Sequence, residues 1–183
     1  MKTIRIVGVA LLAGCAGLQS PDPASPHFAY TTGWVVQLDR PLEIEPGAAT
    51  VRLQYGRIVP RNSVQGYDPY CVVELNTVSD GPQTLRPGRF EVWRVTRSES
   101  IFAAAASPFV KTADSATNEA PSSLYFKTEF HLRDPAQPVL RSMTCAWDQM
   151  APGNYPFMRH LTLGEIRSAL GDWMRLIPPM EKI

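Results

Sequence analysis

Leu124-Tyr125-Phe126-Lys127-Thr128-Glu129-Phe130-His131-Leu132 decides the fold class of this chain. Leu124, Phe126, Phe130 and Leu132 fall on alternate positions with Thr128 in phase, while Tyr125, Lys127, Glu129 and His131 fill the other set. A period of two sends these sets to opposite faces of a strand. The stretch therefore predicts a strand with one side buried and one wet, as in an antiparallel sheet.

The same period continues on both sides. Downstream of Pro135 and Pro138, Val139–Trp147 puts Met143, Cys145 and Trp147 on one face and Ser142 and Thr144 on the other. Upstream, Phe90–Thr96 is apolar on both faces (Phe90 and Val92 against Trp93 and Val95), which predicts a central strand. Tyr70–Asn76 sets Cys71, Val73 and Leu75 in register. Nearer the N-terminus, Trp34, Val36 and Leu38 share a face, and Leu42 and Ile44 continue the pattern past Pro41. Val51, Leu53 and Tyr55 alternate with Arg52 and Gln54. The turn signal Glu45-Pro46-Gly47 between these last two stretches predicts a hairpin joining them. Arg61 to Pro69, Asp80-Gly81-Pro82 and Arg86-Pro87-Gly88 read as turns, and Ala103–Ala106 closes the block. Ser107 to Ser122, with two prolines and no period, reads as a long surface loop.

One helix stands out, over about 162–170. Thr162-Leu163-Gly164-Glu165 has the spacing of a capping box. Leu163, Ile166, Ala169 and Leu170 form an apolar stripe, and Gly171 supplies the stop. Trp173, Met174, Leu176 and Ile177 then read as a last strand or a packed tail. The expected fold is mainly β: an antiparallel β-sandwich or open barrel with one short C-terminal helix.

The first 15 residues carry a different signal. Lys2 and Arg5 precede an apolar run from Ile6 to Ala13. That run is far shorter than the roughly 20 residues of a membrane-spanning helix. It closes on Leu12-Ala13-Gly14-Cys15. This run resembles the lipobox of bacterial lipoproteins. The resemblance implies a diacylglyceryl group on the Cys15 thiol, cleavage before Cys15, and acylation of the new amine. Two or more acyl chains give stable anchoring. Ala16, in place of an Asp, implies the outer membrane, with the periplasmic face expected. The organisation expected is a signal peptide over 1–14, a lipidated Cys and flexible tether over 15–32, and one β-rich domain over 33–183. Pro21, Pro23 and Pro26 among small polar residues suggest the tether. The body, through Trp34–Leu38, Arg40–Ile44 and Leu161–Arg167, resembles small proteobacterial envelope lipoproteins, which implies no particular activity.

Composition narrows the function classes. Removing residues 1–14, which carry Lys2 and Arg5 and no acid, leaves 16 basic against 17 acidic side chains. A near-neutral body argues against a nucleic-acid partner. With Cys15 lipidated, Cys71 and Cys145 remain. In an oxidising compartment they most simply form one disulfide; buried free thiols or a redox-active Cys are the alternatives. A loop of about 75 residues would contribute roughly 4 kcal/mol at most on the loop-entropy argument. Neither residue stands in a C-x-x-C motif.

No catalytic, cofactor or metal motif emerges. His27, His131 and His160 lack metal-ligand spacing, and no Ser stands in a G-x-S-x-G elbow. Gly47, Gly56 and Gly66 read as scattered turn glycines. Glu43 and Glu45 would share a strand face, a placement that suits solubilising charges better than glycan hydrolysis. His131, near Glu129 and Asp134, could orient Ser142 or Ser123, on sequence proximity alone. Arginine is concentrated between Arg52 and Arg97, seven against four acids. If the turns at Arg57–Arg61 and Arg86–Arg89 meet at one end of the sheet, they make a basic rim suited to phosphate or carboxylate. Tyr67, Tyr70, Trp147, Tyr155, Phe157 and Trp173 are candidate interface anchors or the lid of the core. The candidate binding surface is therefore Arg57, Arg61, Arg86, Arg89, Tyr67, Tyr70 and Trp147, with no cofactor. The expected protein is a non-enzymatic outer-membrane lipoprotein that meets the membrane through its anchor and binds an envelope protein or glycan as an accessory or assembly factor. A periplasmic hydrolase centred on His131, and a barrel carrying lipid or another small ligand, are the alternatives.

Overall fold

The computed structural model of the chain describes residues 19–103, 122–150 and 158–179. Cys15, Ala104–Ala106, most of the expected loop 107–122, Tyr155 and Phe157 lie outside them. Strands run in the order β1 (Val35–Leu38), β2 (Leu42–Ile44), β3 (Thr50–Gln54), β4 (Arg57–Val59), β5 (Tyr70–Leu75), β6 (Gln83–Leu85), β7 (Gly88–Ala103), β8 (Ser122–Arg133) and β9 (Leu140–Ala146), then helix α1 (Leu163–Leu170) and β10 (Met174–Ile177).

Eight strands form one curled antiparallel sheet in the order β10-β1-β7-β8-β9-β5-β3-β4, and β2 pairs with β6 as a separate ribbon. The outermost strands, β10 and β4, are not paired with each other. Helix α1 packs against β3, β5 and β10, and so covers the seam between the two ends of the sheet. This is the open barrel, with one short helix near the C-terminus. Its interior is filled by side chains, among them Leu38, Leu53, Phe90, Phe130, Met143 and Ile166, all fully buried.

The helix forms for local reasons. Thr162 Oγ1 accepts from Glu165 N–H at 3.3 Å, and Glu165 Oε2 accepts from Thr162 N–H at 2.8 Å. This is the expected capping box, with Leu163, Ile166, Ala169 and Leu170 buried. Beyond it, Gly171 at φ +55 meets the Tyr55-Gly56 turn, where Gly56 N–H donates to Ala169 O at 3.0 Å.

The strand at 124–132 lies where its alternation puts it. Thr128, Phe130 and Leu132 are buried, and Lys127, Glu129 and His131 are less so. Strand β5 alternates in the same way, with Cys71, Val73 and Leu75 buried.

The structure corrects four expectations. The first is the hairpin between the Trp34–Ile44 and Val51–Tyr55 stretches, which does not form. β1 pairs with β7 and β10, β2 with β6, and β3 with β4 and β5. Glu45-Pro46-Gly47 does turn the chain, but into a connection sewn to the segment around β5, through Gly47 N–H on Ser79 O and Leu75 N–H on Ala49 O.

The second concerns Tyr55, which leaves the interior face. Tyr55 and Gly56, at φ +53 and +69, form the two-residue turn between β3 and β4. Positive φ at both positions is the hairpin turn whose twist suits the strands. Tyr55 is 56% exposed in consequence, and Gln54 is the residue buried. The Gln54 amide bonds Gln65 N–H and O and Asp68 O, which fastens the 61–69 turns to the sheet.

The third concerns β7. It is central, between β1 and β8. Its two apolar faces, however, come from a register shift. Val92 pairs with Leu132 and Arg94 with His131, so Trp93 is an extra, unpaired residue. Such a bulge advances the alternation by one, which returns Val95 to the interior face opposite Phe130 and leaves Trp93 outside.

The fourth is the tether. Residues 19–32 are not a free leash. Ser20 N–H donates to His27 O and Ala29 N–H to Ser20 O. Phe28 is buried, and Tyr30 packs edge-on against Phe28, Trp34 and Phe130, with centroids 5.0, 5.6 and 5.0 Å away. Arg97 Nη2 donates to Phe28 O at 2.9 Å. Prolines excluded regular structure here, but three aromatics two to four residues apart supplied enough apolar surface to dock the segment.

Candidate functional site

Two bulges shape the outer face of the sheet at one end. On β7 the extra residue is Trp93. On β9 it is Arg141, because Glu74 pairs with Ser142 and Leu75 with Leu140. Bulges re-aim side chains and recur beside functional sites. These two flank the end of β8, and between them lies a groove of about 810 Å³ that includes Trp93, His131, Arg133 and Arg141. That volume lies within the roughly 300–1,000 Å³ of small-molecule sites.

The Trp93 ring is 46% exposed and lies 5.5 Å, centroid to centroid, from the His131 ring. His131 Nε2 is 3.0 Å from Thr96 Oγ1 and 3.7 Å from Glu129 Oε2. Arg133 forks onto Glu91 through Nε and Nη2 at 3.0 and 2.8 Å. The Arg133 hydrogen bonds hold the Glu91 carboxyl below the usual carboxylate range. Arg141 reaches Glu74 at 3.0 Å. Arg89 donates to the neutral Gln37 at 3.1 Å. Asp134, also in the lining, accepts from Ala136 N–H at 2.9 Å. Two of its arginines, Arg133 and Arg141, are thus matched with carboxylates, and one aromatic side chain stands open among prolines and leucines of the lining.

The candidates read from the sequence are scattered. Strand register puts Arg86 and Arg89 at the sheet end of Gly88 and Leu38, and Arg57 at the other end, beside the Gln54–Tyr70 pair. Arg61 follows β4 on its way back toward the first end, so Arg57 is set apart from the other three along the strands. Of these four arginines, only Arg89 lines the groove. Tyr67 is exposed. Tyr70 is part-buried, packed edge-on against Tyr125 at 6.5 Å, and burial pushes its hydroxyl up to about 12. Trp147 is only 6% exposed, donates to Arg159 O at 3.2 Å and lies under the Arg159 guanidinium at 4.8 Å. It packs as a lid on the core. Trp173 is part-buried, with Arg40 5.6 Å from its ring centroid.

For the hydrolase reading, register sets Ser142 directly opposite His131 on the outer face. Ser142 is nevertheless fully buried, so its hydroxyl is closed to a substrate. Glu43 accepts from Thr84 Oγ1 at 2.8 Å as an ordinary cross-strand contact. Among the described residues, no group of His, Cys, Asp or Glu could hold a metal ion, and no helix is long and apolar enough to cross a membrane.

Cys71 and Cys145 are register partners on β5 and β9, with sulfurs 2.08 Å apart and both residues fully buried.

Sequence reading missed Trp93, Arg133 and Arg141. A signal for Trp93 was present: Phe90, Val92 and Val95 can share one face only if a residue is inserted between Val92 and Val95. Arg133 and Arg141 are set by register and by the second bulge, which local patterning does not reveal. No family model, curated protein or solved structure matches this chain.

Proposed function

We propose that this chain is a lipid-anchored protein of the bacterial outer membrane that binds an envelope protein or glycan and carries out no chemistry on it. The observation that carries the binding part is the open groove between the two bulges. Arg133 pairs there with Glu91 and Arg141 with Glu74, and Trp93 is presented to solvent. Catalysis needs an accessible nucleophile or an acid–base pair aimed at a substrate. Here the serine opposite His131 is covered. The Leu12–Cys15 run supports the anchor. The buried Cys71–Cys145 pair, register partners on β5 and β9, supports an oxidising compartment.

In-cell cross-linking of the tagged full-length protein, followed by mass spectrometry, tests this reading. A near-stoichiometric envelope protein or cell-wall fragment in the cross-linked product is expected. Cys15→Ser should abolish palmitate labelling and move the protein out of the membrane fraction. Continued labelling would remove the anchor. Turnover of glycan or ester substrates by the pure protein, abolished by His131→Ala, would replace binding with hydrolysis.

A further inference from the structure

We infer that the groove between the Trp93 and Arg141 bulges binds an uncharged oligosaccharide, with a pyranose ring stacked on Trp93. The inference rests on the binding function proposed above and narrows its ligand.

Three observations carry it. The first is the pair of bulges. Each places one extra side chain on the outer face, one on β7 and one on β9, and β8 is the strand between them. At each bulge two successive residues, Trp93 with Arg94 and Arg141 with Ser142, stand against one on the partner strand. The second is the exposed indole. It stands on a central strand beside the His131 ring, where a surface tryptophan has no part in the core. An aromatic face carries negative charge density, and the polarised C–H groups on one side of a pyranose ring complement it.

The third is charge. Arg133 is held by Glu91 and Arg141 by Glu74, while Arg89 donates to neutral Gln37 and Asp134 accepts from Ala136 N–H. An anionic ligand would have to compete with Glu91 and Glu74 for Arg133 and Arg141, and a cationic one with those arginines for the two carboxylates. Hydroxyl and acetamido groups can instead donate to the free lone pairs of the carboxylates and accept from the remaining guanidinium N–H groups, with the pairs intact. The salt-bridged forks then serve as planar, fixed hydrogen-bonding edges beside the stacking surface. An uncharged polyhydroxylated ring satisfies both the stacking and the charge balance.

The test is isothermal titration of the full-length protein in a detergent without a sugar headgroup. The probes are N-acetylglucosamine, glucose and maltose-type hexaoses, with a polygalacturonate hexamer as the anionic comparison. At least one neutral hexaose should bind saturably, with affinity little changed by added salt. Trp93→Ala should lower that affinity about tenfold or more, the scale of losing a single aromatic anchor, with an unchanged melting temperature. Trp93→Phe should recover part of it. Binding to none of the neutral hexaoses, equal binding by Trp93→Ala, or preference for the polygalacturonate would each overturn the inference. Cross-linking that still captures a stoichiometric envelope protein would then leave the broader binding reading standing; failure of both would remove both.

Discussion

His160 shows how one side chain couples this fold to pH. Its ring packs edge-on against Phe126 at 5.2 Å. Burial first, then the Arg97 and His27 charges, lower its pKa from 6.5 to about 4. The unfolded chain therefore binds a proton at His160 more readily than the folded one. Its contribution to stability is complete above pH 6.5 and is lost as pH falls toward 4. The slope should stay below the ~1.4 kcal/mol per pH unit of one full proton, because the ring is partly solvated. Urea unfolding at pH 7 and pH 5 should show a fall in midpoint for the wild type that His160→Phe lacks. An equal fall in both would show that other groups set the acid sensitivity. Glu165 works in the opposite sense to its own burial: burial raises its pKa, but hydrogen bonds from Arg159 and Thr162 outweigh that and leave it below the usual carboxylate range. The sequence showed Glu165 as a capping residue, because capping is local. It could not show Arg159 forking onto it at 2.8 and 2.7 Å, because the loop conformation decides that contact.

Among the elements, α1 has the largest structural consequence for its length. It covers the seam that keeps the sheet from closing on itself, and it does so at a glycine–glycine contact. A Cβ on Gly171 would lie 2.4 Å from Gly56 Cα, which is backbone and cannot swing aside. Gly171→Ala also puts a side chain at a φ of +55, which L residues disfavour. Strain and overpacking together should cost about 2–5 kcal/mol. Thr162→Ala, which removes only the cap, should cost about 1 kcal/mol. Thermal melts of the two variants compare them directly. A Gly171→Ala protein as stable as the wild type would mean that helix and turn can separate freely, and the seam would then have some other closure. The helix was legible because its stripe, cap and stop fall within ten residues. Strands β3, β5, β8 and β9 were legible because five or more alternating residues expose the period. Strands β4 and β6, three residues each, were too short for any period to show. The false hairpin was a different kind of error. Each stretch was extended as read, but a strand's partner is chosen by the whole sheet, and β1 found β7 and β10 far along the chain.

At the scale of the molecule, sequence left sandwich and barrel as alternatives, and long-range pairing made the choice. It also folded residues 19–32 onto the long β7–β8 hairpin, so that the stretch expected to be a leash is held by Phe28, Tyr30 and Arg97. If Cys15 is acylated, the four residues between it and Ser20 allow the body to stand only about 17 Å from its lipid, the reach of an extended chain of that length. The Cys71–Cys145 link belongs to this scale too, because it adds little to the native contacts. Its strands are already hydrogen-bonded neighbours, and its Cα atoms, 4.1 Å apart, are register partners in the sheet. Its effect must therefore fall on the unfolded chain, where a separation of 74 residues is closed into a loop. Loop entropy sets that effect at about 4 kcal/mol or less. Both residues are fully buried, so thiol reagents reach the sulfurs only when the chain opens. Reductant alone should leave the native protein oxidised for hours, whereas reductant with urea should bring its unfolding midpoint down to that of the Cys71→Ala, Cys145→Ala double variant. The double variant should itself be insensitive to reductant and retain the native strand content. Equal midpoints for wild type and double variant without reductant would mean that the bond does not constrain the unfolded chain. Rapid reduction of the native protein would mean that β5 and β9 part readily, and the β5–β9 pair would then be the weak side of the barrel rather than its stapled one.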